Sequence, residues 1–80
     1  MSANVKVFGK HNCMQCEFTQ RWLNERCIEF DYYDVMEDEG ALDLVRSWGF
    51  QNVPVIACDG MEPFYGFNQD KLEEVARNVN

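Results

Sequence analysis

A change of hydrophobic period along the first third of the chain constrains its fold more than any other feature. Val5-Lys6-Val7-Phe8 is short and β-prone, and Gly9 to Asn12 follow it as a polar break. Beyond the break the spacing lengthens. Met14, Phe18, Trp22 and Leu23 recur at intervals of about four residues, while Glu17 and Arg21 sit four apart on a more polar side, which predicts a helix with one packed face. From Ile28 the period shortens to two: Ile28, Phe30 and Tyr32 alternate with Glu29, Asp31 and Tyr33, as a second strand requires. Strand, helix and strand in this order make a βαβ unit. Its two strands should lie parallel, joined by a right-handed crossover, with the loop after the first strand at a sheet edge.

The rest of the chain extends this unit. Glu37-Asp38-Glu39-Gly40 reads as a solvated turn with acidic charge near a helix start, where the macrodipole favours it. The helix should run from about Ala41 to Trp48, with Leu42, Val45 and Trp48 facing inward and Gly49 as its stop signal. Val53-Pro54-Val55-Ile56-Ala57 is an apolar strand opening with a proline, and Asp59-Gly60 is a hairpin turn into an antiparallel strand near Met61 to Phe64. Leu72, Val75, Ala76 and Val79 then mark a terminal helix capped near Asn68 or Gln69. The order is βαβαββα, an α/β arrangement of a four-stranded mixed sheet flanked by three helices. Eighty residues without repeat or linker read as one domain, residues 1–80.

Composition narrows the functional class. A chain that is 46% hydrophobic and 14% aromatic can pack a core without a metal or structural disulfides. Met1 to Phe8 lacks the basic flank and apolar run of a secretory signal, and no segment is long enough to span a bilayer, so the expectation is a cytoplasmic protein. Seven basic against fourteen acidic residues give a formal charge of −7, which disfavours nucleic acid and anionic membrane as partners.

Within this frame Cys13-Met14-Gln15-Cys16 carries the chemistry. It falls where the first loop enters the first helix, so Cys13 should sit beside unpaired backbone N–H groups at the positive end of the helix dipole. Both stabilise a thiolate, lowering its pKa from about 8.5 toward neutrality. Cys13 is then the expected nucleophile, and Cys16, almost one turn on and deeper, the resolving thiol. Two other readings stand beside this one: half of a zinc site, or an inert buried pair. A closed zinc site wants four ligands, whereas Cys27 and Cys58 are isolated and His11 is the single histidine. No metal site is expected.

Strand, Cys-X-X-Cys, helix, strand, helix, Val-Pro strand, hairpin and terminal helix in this order resemble the glutaredoxin-like branch of the thioredoxin superfamily over nearly the whole chain. More narrowly, Cys13-Met14-Gln15-Cys16, Val53-Pro54-Val55 and Phe64-Tyr65-Gly66-Phe67-Asn68-Gln69-Asp70-Lys71-Leu72 resemble an NrdH-type redoxin, whose last segment reads Trp-Ser-Gly-Phe-Arg-Pro-Asp-Lys. Phe64-Tyr65 and Asn68-Gln69 stand where that family carries Trp-Ser and Arg-Pro. The resemblance implies a thioredoxin fold and a thiol-disulfide oxidoreductase that binds no cofactor. It implies an electron donor to class Ib ribonucleotide reductase, recharged by thioredoxin reductase with NADPH as the indirect source. It also implies a cis peptide at Pro54 facing the cysteines, with the Val53 backbone pairing to an extended partner segment. The alternatives are a glutathione-dependent glutaredoxin and a non-enzymatic partner-binding module.

The residues expected around a partner are Lys10, Met14, Gln15, Val53, Pro54, Phe64, Gly66 and Phe67. His11 reads as a solvent-facing loop residue or as a tuner of the nucleophile. Cys27 and Cys58 read as small buried hydrophobes. Phe64, Tyr65 and Phe67 divide between core and docking patch, and the open groove suggests a monomer.

Overall fold

The structure, a computed structural model, describes residues 4–79. Met1–Ala3, part of the amino-terminal stretch read above as lacking a signal, and Asn80 lie outside the described residues. The elements are β1 (Val5–Gly9), α1 (Met14–Glu25), β2 (Asp31–Asp34), α2 (Glu39–Ser47), β3 (Val55–Cys58), β4 (Phe64–Tyr65) and α3 (Gln69–Val79), the βαβαββα order of the sequence reading.

One mixed sheet holds the strands in the order β2-β1-β3-β4. β1 pairs parallel to β2, with Val7 opposite Tyr32, and antiparallel to β3, with Val7 opposite Ile56; β3 pairs antiparallel to β4. β1 is therefore an interior strand. The loop that follows it leaves the carboxyl end of the sheet's centre rather than a lateral edge.

Side-chain alternation divides the apolar residues between two faces. Val5 and Val7 on β1, Ile56 on β3 and Phe64 on β4 pack with Trp22 and Leu23 of α1 and Leu72 and Val75 of α3. Phe8 and Val55 point the other way and pack with Val35 and with Ala41 and Val45 of α2. The sheet is thus covered on both faces, and the redox loop sits at the rim where α1 begins.

Beyond the position of that loop, five expectations need correction. The third strand is Val55–Cys58, so Val53 and Pro54, which has no N–H for a ladder, precede it rather than open it. In α1 the inward residues are Cys16, Thr19, Trp22 and Leu23, whereas Met14 and Phe18 are exposed. Burying Cys16 rotates the helix about its axis, and the buried Thr19 hydroxyl is satisfied by the Gln15 carbonyl at 2.8 Å. α2 starts two residues early because the Asp38 Oδ1 accepts the Ala41 N–H at 3.0 Å; Ala41 and Val45 are buried, Leu42 is half-buried, and Trp48 caps the helix partly in solvent with its edge on the Phe8 ring. The second strand begins at Asp31, because Ile28 completes the turn that ends α1, its N–H donating to the Leu23 carbonyl at 3.0 Å. The fourth strand is only Phe64–Tyr65: Pro63 has no N–H to give a ladder.

Candidate active site

Local backbone chemistry sets Cys13 at the mouth of α1. Asn12 adopts φ 57°, a left-handed conformation that asparagine tolerates, and Cys13 turns to extended backbone as the N-cap. The Cys13 Sγ accepts the Cys16 backbone N–H at 3.2 Å, so sulfur takes the place that a serine or aspartate oxygen fills in other caps. Any negative charge on that sulfur is met by the same donor and by the helix dipole. Cys13 and Cys16 form a disulfide with their Cα atoms 5.2 Å apart. Cys16 is 1% exposed and Cys13 half-buried, so a partner approaching the pair meets the Cys13 sulfur first.

Two other segments close around this sulfur. The Val53 carbonyl oxygen lies 4.0 Å from the Cys13 Sγ, and the Val53–Pro54 bond is cis, as the resemblance implies. The Gly66 N–H donates to the Pro54 carbonyl at 2.8 Å. Gly66 itself has φ 89°, a conformation that needs glycine, and a Cβ there would come within 3.5 Å of the Gln15 Oε1. That same oxygen accepts the Phe67 N–H at 3.2 Å. Gln15 and Gly66 thus join the Cys-X-X-Cys helix, the Val-Pro strand and the β4–α3 connection into one wall.

The candidate site residues divide accordingly. Cys13, Cys16, Gln15, Val53, Pro54, Gly66 and Phe67 converge; Lys10 and Met14 are exposed beside them. Phe64 is the exception among the expected partner contacts. It pairs with Ile56 and its ring enters the core, whereas Tyr65, next along the strand, points to solvent. Cys27 also departs from expectation: it is exposed, at φ 56° in the turn after α1. Cys58 is buried, and burial, with Asp59 adding to it, pushes its thiol pKa up, which disfavours the reactive thiolate.

Behind the loop, the His11 Nε2 lies 2.7 Å from a Glu37 carboxylate oxygen and 3.1 Å from one of Asp34, tying the loop to the end of β2. These three are the one grouping of metal-ligating type among the described residues, and no cysteine belongs to it. The half-zinc reading of Cys13 and Cys16 therefore finds no further ligands beside the pair. Tyr32, read from the sequence as a strand residue, lies with its ring over the Gly9 backbone: a Cβ on Gly9 would stand 2.9 Å from the Tyr32 Cζ. Burial chiefly, then Asp34 and Glu17, raise the Tyr32 pKa. Neither the Gln15 link nor the Tyr32 cover has a local signature, since each joins residues distant in sequence.

The chain matches the glutaredoxin family model over residues 5–62. It is 38% identical over 72 residues to the glutaredoxin-like protein NrdH of Lactococcus lactis, covering 90% of this chain and 99% of that one. The NrdH protein of Salmonella typhimurium is 28% identical over 90% of this chain and 88% of its own. The solved structure of Escherichia coli NrdH-redoxin superposes with a TM-score of 0.83 at 24% identity, covering 89% of this chain and 92% of that one. The fold is therefore the thioredoxin fold. With its disulfide seated in Cys-X-X-Cys at a helix start, the chain belongs to the glutaredoxin family as an NrdH-like thiol-disulfide oxidoreductase.

Proposed function

We propose that this protein carries two electrons from thioredoxin reductase, with NADPH as their indirect source, to the disulfide of a class Ib ribonucleotide reductase. Similarity to NrdH proteins over nearly the whole chain carries the reading. The Cys13 thiolate attacks one sulfur of the acceptor disulfide and expels the other as a thiolate, leaving a mixed disulfide. Cys16, once deprotonated, attacks the Cys13 sulfur and expels the acceptor's second thiolate. Two protons from solvent complete the acceptor dithiol, and the Cys13–Cys16 disulfide holds the oxidising equivalents.

The groove around the sulfur suits an extended partner segment, with the Val53 carbonyl as a main-chain acceptor and Lys10, Met14, Gln15, Pro54, Gly66 and Phe67 around it. The depression at the start of α3 is lined by Gln15, Tyr65, Gly66, Phe67, Asn68, Gln69 and Asp70, a set with one carboxylate and no cation. Such a lining is poorly matched to an anionic tripeptide, which favours a flavoprotein reductase over glutathione as donor. A thioredoxin-like activity profile is the description carried by the Escherichia coli structure. None of the described helices is long and apolar enough to cross a membrane. A cytoplasmic monomer comprising one domain over residues 1–80 fits these roles.

The test is NADPH-driven disulfide reduction with either thioredoxin reductase or glutathione plus glutathione reductase as the electron source. Turnover with the first alone is expected. Turnover with the second alone makes the protein a glutathione-dependent glutaredoxin, and turnover with neither leaves a partner-binding module.

A further inference from the structure

We propose that the exposed stripe of α1 leading away from Cys13 is a docking track for an acidic segment that flanks the reactive cysteine of a partner protein. The inference rests on the thiol-disulfide chemistry above and names the kind of partner surface that it meets.

The observation behind it is an apolar face that the core does not use. Met14 is 68% and Phe18 40% exposed, although their spacing is that of a packed face. Phe18 meets Phe67 across the cleft between α1 and the start of α3, ring centroids 5.9 Å apart. Met14, Phe18, Arg21 and Glu25 follow one another at helical spacing, so the stripe runs from the redox end of α1 to its far end. There it opens into a groove whose lining is Phe18, Trp22, Phe67 and Gln69 with the charged side chains of Arg21, Arg26 and Glu25.

Charge selects the occupant. The chain carries −7 overall, with only seven basic residues, yet two of them line this groove against one carboxylate, that of Glu25. Arg21 makes no ion pair within 4.0 Å among the described residues; its guanidinium lies 5.9 Å from the Phe18 ring centroid. Arg26 is held over the Trp22 ring at 3.7 Å and donates to the Trp22 carbonyl at 3.2 Å, while its contact with Glu25 is stretched to 4.0 Å. Each guanidinium has five N–H donors, so most remain for an incoming carboxylate. On the opposite flank of the redox loop the exposed Glu37, Asp38, Glu39 and Asp43 repel the same segment. An acidic segment with an apolar side chain near the cysteine therefore fits the α1 side: its apolar group over Met14 and Phe18, its carboxylate at the arginines.

Reach makes the proposal specific. Arg21 and Arg26 lie eight and thirteen residues beyond Cys13, which is about 12 and 20 Å along a helix axis at 1.5 Å per residue. An extended partner chain advances about 3.3 Å per residue, so its carboxylate belongs about four to six positions from its reactive cysteine.

The test uses the pre-reduced protein and two disulfide-bridged peptides identical except for Asp or Lys at the fifth position from the reactive cysteine. Rates are normalised to each variant's rate on hydroxyethyl disulfide, a small neutral substrate. Wild type should reduce the Asp peptide about fivefold faster than the Lys peptide at low salt, and the ratio should fall toward one as salt screens the contact. Arg21→Glu, alone or with Arg26→Glu, should invert the ratio, and Arg21→Lys should restore the preference for Asp. A wild-type ratio of one, or an unchanged ratio in Arg21→Glu, overturns the docking track. Failure to reduce hydroxyethyl disulfide would instead refute the underlying thiol-disulfide reading.

Discussion

α1 and α2 end in the same turn but close it with different residues, and the difference gives a measurable stability. After α2 the Phe50 N–H donates to the Val45 carbonyl at 3.1 Å and the Gly49 N–H to Arg46 at 2.9 Å, with Gly49 at φ 93°. After α1 the Ile28 N–H donates to Leu23 at 3.0 Å and the Cys27 N–H to Asn24 at 3.1 Å, with Cys27 at φ 56°. Both are Schellman turns, whose left-handed position suits glycine. Holding a Cβ-bearing residue there costs about 1–2 kcal/mol. Glycine gives back about 0.5–1 kcal/mol through its freer unfolded chain. Because Cys27 is exposed, little packing is lost on replacement. Cys27→Gly should therefore stabilise the protein by about 0.5–1 kcal/mol, or about 3–6 °C in Tm for a domain of this size. Thermal unfolding of the oxidised protein, followed by circular dichroism, measures it. Cys27→Ser removes the thiol without relieving the backbone, and Cys27→Asn should fall between the two. A glycine variant melting at or below the serine variant would refute the reasoning.

Two further outcomes bear on the other cysteines. Cys13→Ser should abolish disulfide reduction, whereas Cys16→Ser should accumulate a mixed disulfide with the partner, visible as a reducible band on electrophoresis; full activity in either variant rules out the assigned order of attack. Burial raises the Cys58 pKa, so in the alkaline range the unfolded chain releases this proton while the folded chain keeps it, and stability present below the ordinary thiol pKa is lost as pH rises through and beyond it. Urea midpoints taken between about pH 7 and pH 10.5 should fall less steeply for Cys58→Ala than for wild type; parallel curves would mean that the buried thiol ionises normally.

The sequence was most legible where one residue type answers one backbone need. Gly49 after α2 and Asp59-Gly60 before β4 stand where a left-handed or tight turn requires them, and the Cys-X-X-Cys sits at a helix start because the preceding strand ends at Gly9. Reading failed where side-chain character was ambiguous. In α1, hydropathy favoured Met14 and Phe18 for the interior, but Cys16 and Thr19 bury better: one must face the core to be shielded, and the other satisfies its hydroxyl within its own helix. Cys27 departs from the usual burial of cysteine because the turn that holds it faces water. The wall around the site escaped for a different reason. Gln15 and Phe67 are 52 positions apart, and only the closed sheet brings them together.

The sealing of Cys16 makes the molecule a carrier with a single port. Of the two bridged sulfurs only that of Cys13 can be touched from outside, so loading and unloading use the same atom. Donor and acceptor must then take turns, each leaving before the other arrives, and steady-state reciprocal plots for the two should run parallel. Under that regime a partner that held on tightly would stall the shuttle. A shallow, wet, partly charged contact surface is what such traffic demands, because throughput depends on letting go as much as on recognition.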